Sequence, residues 1–292
     1  MRALWLRVPQ LLRAVLTGLV AATAGTLPWA FLVSANTRRL SDVPWAVPVM
    51  AAYLWLYWRY VRGDGWPRST AAARRTNSRA NRLPEDLWGP ALLAGILGLM
   101  AVLLLQGVLS RLVSLPQQRD LDISQYSTPT VLLWVLMSGV VAGVVEETSF
   151  RGYMQRPIEQ RHGPVLAILV TGIAFGLLHL RHPEVTLVLL PYYVAAAAVY
   201  GALAHLTDST LPSMVLHGGG NVFSAAGLFL GGRSEWQLSA VPKPLIWDSG
   251  PDAAFWVTVV ALLLVGAAAI GAYSGLSRAA RGRDASRRPT SA

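Results

Sequence analysis

The chain has 292 residues, of which 53% are hydrophobic and only 14% charged, and its mean hydropathy is +0.43. Soluble domains contain about 25% charged residues, so this composition excludes an ordinary soluble globular protein. The net charge of +10 would suit a nucleic-acid-binding protein, but the basic residues lie mainly between apolar stretches. No folded basic face with stacking aromatic residues is indicated, so nucleic acid is not an expected partner. The lack of Cys excludes disulfides and thiolate metal sites.

Apolar stretches long enough to cross the ~30 Å hydrocarbon core of a bilayer recur along the chain. They predict about eight transmembrane helices, near residues 11–33, 44–61, 87–109, 129–150, 164–181, 184–206, 211–230 and 253–274. Backbone groups have no water partner in lipid, and the alternating pattern of a membrane barrel is missing, so these spans must be helical. The predicted fold class is all-α, a single polytopic membrane domain over residues 1–292 that forms a bundle of about eight transmembrane helices.

Polar, arginine-rich segments set the predicted orientation. They are the start of the chain, a linker at 62–86 and a tail at 277–292. With eight spans all three lie on one side, which the positive-inside rule assigns to the cytoplasm, so both termini are predicted to be cytoplasmic and the lipid bilayer is the expected partner of these arginines. The linker is predicted to be flexible and the tail disordered.

Residues 22–24 could pass for a signal-peptidase site, but the apolar run continues to Val33, which is longer than the apolar region of a usual signal peptide and favours an uncleaved first helix. The composition is rich in Arg and poor in Lys, which points to a prokaryote and hence to a multi-pass protein of the plasma (inner) membrane.

Ionisable residues inside a membrane span are energetically expensive and therefore need a reason. Glu146 and Glu147 stand in the sequence VVAGVVEETSFRGYMQ, and Arg151 follows Glu147 by four residues. On a helix Glu147 and Arg151 share a face, whereas Glu146 points about 100° away. One carboxylate can thus be held ionised by an arginine while the other faces a cavity with a tunable pKa. The alternative is a buried ion pair that only orients two helices.

Two later segments add histidines. His179 ends the fifth span in AFGLLHL, with Phe175 one turn earlier, and His217 and Asn221 bracket three glycines in MVLHGGGN. A histidine at a span end can be merely structural. The glycines permit close backbone approach, either to a neighbouring helix or to a substrate chain. For this segment, small-residue helix packing with an interhelical His–Asn pair is the alternative to catalysis.

Taken in order, the motifs E-E-x-x-x-R, F-x-x-x-H and H-x-x-x-N resemble those of the CPBP family, the CAAX-processing (type II prenyl endopeptidase) and bacteriocin-processing intramembrane proteases, also called the Abi family. The resemblance covers residues 129–230, which are the predicted catalytic core, with a catalytic cavity among helices four to seven. The run LTDSTLPSMVLH is also similar to the family's approach to its last motif, with Asp208 in place of the usual Gly.

The resemblance implies a role for each motif residue. Glu146 would activate the attacking water, and Glu147 would pair with Arg151. His179 would hold or polarise the water. His217 and Asn221 would stabilise the oxyanion. Amide hydrolysis needs a base near the water and donors where negative charge develops, so this set is chemically coherent.

The resemblance leaves a metal requirement open. Two histidines and a carboxylate, here His179, His217 and Glu146, make a plausible zinc site, but the metalloprotease motif H-E-x-x-H is missing. If Glu146 were a ligand, the general base would no longer be obvious. We therefore expect no obligatory, tightly bound metal or other cofactor.

Helical rise offers an independent check on the site. With the predicted spans, Glu146 and His179 lie at the same depth in the membrane, whereas His217 does not. For His217 to join them, the span boundaries around 180–192 must differ, or this segment must re-enter the membrane near Pro191.

The predicted function is an intramembrane endopeptidase, with a CAAX-type tail, a bacteriocin or other leader, or another membrane-associated protein or peptide as substrate. Two alternatives stay open. A proton- or cation-coupled transporter could use the same glutamates, although no internal repeat supports it. A non-catalytic membrane scaffold or immunity protein would keep the fold without turnover.

Overall fold

The computed structural model of the chain describes residues 7–114, 121–123, 125–180, 187–225, 235–236 and 244–287. The helices of this part are α1 (Gln10–Arg38), α2 (Ala46–Val61), α3 (Ala71–Ser78), α4 (Glu85–Leu112), α5 (Thr128–His162), α6 (Pro164–His179), α7 (Leu190–Thr207), α8 (Leu211–Ala225), α9 (Ile246–Ser249) and α10 (Ala253–Arg287). Single 3₁₀ turns, Arg68–Thr70 and Leu187–Leu189, precede α3 and α7. Two-residue strands, β1 (Leu121–Asp122) and β2 (Glu235–Trp236), pair antiparallel.

The prediction of an all-α, polytopic membrane protein is confirmed. Among the described residues five helices are long and apolar enough to cross a membrane: Gln10–Arg38, Glu85–Leu112, Thr128–His162, Leu187–Thr207 and Ala253–Arg283. Leu and Val side chains on these helices are widely exposed, for example Leu27, Leu103 and Leu263 at 58–67%, as expected of surfaces that face lipid. The count of eight spans stays a prediction, because α2, α6 and α8 are shorter.

The chain forms two compact units. The first unit combines residues 1–80, 118–167 and 213–240, and the second combines 81–117, 168–212 and 241–292. The core of the first unit contains buried aromatic and aliphatic side chains from α1, α2 and α5, namely Trp29, Met50, Leu54, Tyr57, Val145 and Tyr153. In the second unit α4 packs along both α10 and α7. The motif residues of α5 and α8 therefore belong to the first unit.

The linker at 62–86 is more ordered than predicted. It contains α3, and its Arg74 and Arg79 are only 5% and 1% exposed. Arg74 donates to the carbonyl oxygens of Gly65 and Pro67 at 2.6 and 3.0 Å. The expectation that the arginines of this linker meet lipid headgroups is therefore wrong for Arg74 and Arg79. Each guanidinium has acceptors within the protein, which composition alone does not reveal.

The predicted disordered tail is also partly wrong. Helix α10 continues from the apolar span to Arg287, because the segment after Ser277 is rich in Ala and Arg, which are good helix formers. Residues 288–292 lie outside the described part of the chain, as do the first six residues and residues 181–186, where the predicted span boundary was least certain.

Candidate active site

The first motif lies in a widened part of α5. The helix changes from α to π geometry over Ala142–Glu146 and again over Thr148–Met154, with Glu147 between the two segments. π-Helical turns are rare, and they are frequent at functional sites. Nothing in the residue spacing predicted this widening.

Glycines bring α8 against this part of α5. A Cβ atom on Gly143 would lie 2.6 Å from the carbonyl oxygen of Met214, and one on Gly218 would lie 2.8 Å from that of Gly139. Real Cβ atoms do not approach this closely, so the two backbones can meet only where side chains are missing. The first glycine of MVLHGGGN thus serves helix packing, and the packing carries His217 to the glutamates of α5.

The centre of the site is a buried triad. Glu147 and Arg151 are both 0% exposed and form an ion pair, with Arg151 Nη1 3.1 Å from Glu147 Oε1. Nδ1 of His217 donates a hydrogen bond to the same oxygen at 2.7 Å. Because a carboxylate oxygen accepts, this bond places a proton on Nδ1 and fixes the orientation of the ring. The ion pair is the one predicted from the i, i+4 spacing.

Glu146 has a different environment from its neighbour. Its side chain is 21% exposed, and Oε2 lies 3.8 Å from Nε2 of His217. This separation is too long for a direct hydrogen bond and leaves room for small movements or a shared water. The two adjacent carboxylates therefore differ in solvent exposure, as predicted. Glu147 is fully buried, whereas Glu146 is partly exposed.

Side chains that the sequence reasoning did not single out support the triad. Ser149 is fully buried on α5, and its Oγ lies 3.3 Å from the hydroxyl oxygen of Tyr57 on α2. The Tyr57 hydroxyl also donates to the carbonyl oxygen of Ala21 on α1 at 3.2 Å. These bonds tie α5 to two other helices next to Glu147. The sequence signal for this contact was Tyr57, a tyrosine within an apolar span.

Asn221 stands one turn after His217 on α8 and is exposed. Cβ atoms built on Gly219 and Gly220 would meet nothing within 4 Å. Unlike Gly218, these two glycines have no close neighbour among the described residues.

His179 belongs to the second unit, where it ends α6. Its Nδ1 lies 2.8 Å from the carbonyl oxygen of Phe175, so Nδ1 is the donor and Nε2 is the acceptor in the neutral ring. The ring stacks on Tyr193, with centroids 4.5 Å apart and planes inclined by 30°. Its orientation is thus fixed by neighbours in its own unit.

A zinc site of Glu146, His179 and His217 stays a prediction. Within the described ranges no group of three or more His, Asp or Glu side chains is arranged to hold a metal ion. Nδ1 of His217 is directed at Glu147, so the nitrogen of this ring that could bind a metal is Nε2, on the side of Glu146.

Comparison with protein families agrees with the motif order. Residues 128–223 match the family model described as type II CAAX prenyl endopeptidase Rce1-like. Comparison with curated proteins and with solved structures gave no match. The match spans α5 to α8 and includes every predicted site residue, and it confirms the resemblance stated from the motifs. The similarity of residues 128–223 to the type II CAAX prenyl endopeptidase Rce1-like family supports, at the level of the family, a CAAX-type intramembrane protease.

Proposed function

We propose that the chain hydrolyses peptide bonds in membrane-associated proteins or peptides, with Glu146 as the general base. One observation carries the proposal: an accessible carboxylate lies 3.8 Å from a histidine whose other nitrogen is fixed by a buried Glu–Arg pair. A reachable base next to an oriented donor is the minimum that amide hydrolysis requires.

In the first step Oε2 of Glu146 accepts a proton from a water molecule while the water oxygen bonds to the carbonyl carbon of the substrate. The carbonyl oxygen becomes an oxyanion. In the second step the tetrahedral intermediate collapses, the C–N bond breaks, and the proton held by Glu146 passes to the leaving nitrogen. The products are a carboxylic acid and an amine, and Glu146 returns to its starting form. General base catalysis of this kind contributes about 10²–10⁴-fold to the rate.

The oxyanion is stabilised by donors on α8. Nδ1–H of His217 donates to Glu147. When the ring is protonated, its Nε2–H lies on the side of Glu146. The exposed amide of Asn221 adds a second donor from the next turn. Arg151 balances the charge of Glu147 and so keeps the His217 ring in place. Removing one such donor from an oxyanion site costs about 10²–10³-fold in rate.

For His179 we propose the role that the family resemblance implies, which is to polarise the attacking water. The acceptor state of Nε2 supports this role, because Nδ1 donates to the carbonyl oxygen of Phe175. A neutral imidazole that carries a lone pair on Nε2 can accept a hydrogen bond from the water.

The test compares protein termini in cells that express either the unchanged protein or Glu146→Gln at equal levels. The termini of membrane and secreted proteins are identified by mass spectrometry. We expect a set of new termini that is present with the unchanged protein and lost with Glu146→Gln, and these termini also name the substrate.

Glu85→Gln is the matched control, because it makes the same chemical change at a carboxylate whose side chain is 94% exposed. This variant should produce the same termini as the unchanged protein. Identical termini with Glu146→Gln, from protein that is folded and keeps its biological effect, would reject proteolysis and favour a non-catalytic membrane protein.

A further inference from the structure

A large cavity lies in the second unit, whereas Glu146 and Glu147 belong to the first. Its volume is about 860 Å³, and its walls come from α4, α7 and α10. Small residues from all three helices leave this space open, among them Gly98, Ala101, Ala198, Ala202, Gly266 and Ala269. The helices meet beside it, where Tyr273 donates to the carbonyl oxygen of Val199 at 2.8 Å.

The cavity has an apolar part and a polar end. Along α10 the apolar wall runs from Leu262 to Tyr273, which corresponds to a helical rise of ~17 Å. This length is about half of the ~30 Å hydrocarbon thickness of a bilayer and so matches one leaflet. Beyond Tyr273 the wall changes to Ser274, Ser277, Arg278 and Arg281. The hydroxyl and guanidinium groups thus begin where lipid headgroups would begin.

The two arginines at the polar end are available to a ligand. Arg278 and Arg281 are exposed, and neither forms an ion pair with any other residue in the described part of the chain. Arg283 on the same helix differs, because it pairs with Asp86 at the start of α4. Asp86 is therefore engaged by Arg283 rather than by the two arginines of the cavity.

We propose that this cavity binds one anionic phospholipid, with an acyl chain along α4, α7 and α10 and the phosphate on Arg278 and Arg281. Arginine suits a phosphate because its planar guanidinium can donate two parallel hydrogen bonds. The arginine distribution predicts this end of α10 to be cytoplasmic, and anionic lipids give the cytoplasmic leaflet a negative surface. The proposal is independent of proteolysis, because it concerns residues outside the proposed catalytic set.

The test counts bound lipids on the purified full-length protein by native mass spectrometry. The protein in detergent receives equal amounts of phosphatidylglycerol and phosphatidylcholine that have the same two acyl chains. We expect one phosphatidylglycerol to bind in preference to phosphatidylcholine. Combining Arg278→Gln with Arg281→Gln should reduce this preference about 25-fold, since each basic residue near an anionic lipid contributes about fivefold.

A second variant tests the acyl-chain part. A Cβ on Gly266 meets nothing within 4 Å, so Gly266→Leu fills the cavity without a backbone clash and should abolish retention of both lipids. Gly271→Leu is its control, because Gly271 is exposed on the same helix, is equally unobstructed and does not line the cavity. Arg68→Gln combined with Arg75→Gln is the charge control, since both arginines are exposed on the linker. Both controls should bind lipid as the unchanged protein does.

The proposal fails if the unchanged protein binds the two lipids equally. It also fails if phosphatidylglycerol binding survives in both cavity variants, or if the control variants lose it to the same extent. In the last case the preference would reflect general surface charge rather than this cavity.

Discussion

Nδ1 of His217 lies 2.7 Å from Oε1 of Glu147, although the two residues are 70 positions apart in the chain. The same carboxylate oxygen lies 3.1 Å from Nη1 of Arg151. Glu147 is therefore the link between a local ion pair on α5 and a histidine on α8. Since Nδ1 is engaged, the ring can present only Nε2 to the accessible Glu146. Substitutions of the two adjacent glutamates should therefore have different effects.

The first prediction concerns these glutamates. Glu147→Gln leaves Arg151 as a buried charge without its counter-ion, and breaking a buried ion pair costs about 3–5 kcal/mol of stability. Glu146→Gln changes a partly exposed side chain and should alter stability by less than about 1 kcal/mol. Thermal unfolding of the two purified variants in the same detergent measures the difference. Equal midpoints would contradict the buried position of Glu147.

The second prediction concerns rates. Glu146→Gln should lower proteolysis by about 10²–10⁴-fold because it removes the base. His217→Ala and Asn221→Ala should each lower it by about 10²–10³-fold because they remove one oxyanion donor. The measurement is the rate at which purified, folded variants cleave a substrate identified from the comparison of termini. Full activity in both Glu146→Gln and His217→Ala would refute the proposed mechanism.

The third prediction separates the three glycines of MVLHGGGN. Gly218→Ala places a Cβ 2.8 Å from the carbonyl oxygen of Gly139, which forces α5 and α8 apart and should cost about 1–3 kcal/mol. Gly219→Ala and Gly220→Ala meet no atom within 4 Å and should stabilise the helix by up to about 1 kcal/mol each. Unfolding midpoints of the three variants should therefore change in opposite directions. A uniform effect would mean that the helices do not meet at Gly218.

The fourth prediction concerns the ordered linker. Arg79 forms two hydrogen bonds with the carboxylate of Glu159, at 2.8 and 2.9 Å, and its side chain is 1% exposed. It also has a φ of 52°, in the left-handed region. Arg79→Ala should cost about 3–5 kcal/mol because it breaks a buried ion pair. Arg79→Gly should cost about 1 kcal/mol less, because glycine adopts this conformation without strain.

Arg82→Ala serves as the control for this prediction. Its guanidinium lies 3.8 Å from Glu85, but the two side chains are 90% and 94% exposed, so their loss of contact should leave the unfolding midpoint unchanged. An effect as large as that of Arg79→Ala would show that charge in the linker, rather than the buried pair, stabilises the protein.

Several features of this protein follow from its sequence. The apolar stretches determine helices in a membrane, because no other unit of that length satisfies its backbone groups in lipid. The i, i+4 spacing determines the Glu147–Arg151 pair, because a helical turn brings such residues together regardless of the rest of the fold. The ordered motifs indicate the family whose model matches residues 128–223. In each case the information lies within a short segment.

Contacts between segments required the tertiary structure. Only the packing of α8 on α5 through Gly143 and Gly218 showed that His217 reaches Glu147. The helical rise calculated from the predicted span boundaries had placed His217 at a different depth in the membrane from Glu146 and His179. The burial of Arg79 likewise depends on Glu159, which is 80 residues away. The sequence by itself determined the solvent, the helices and the candidate reacting groups. Which residues meet was decided by helix packing, because side-chain shape and burial select one arrangement among many that the same periodicity allows.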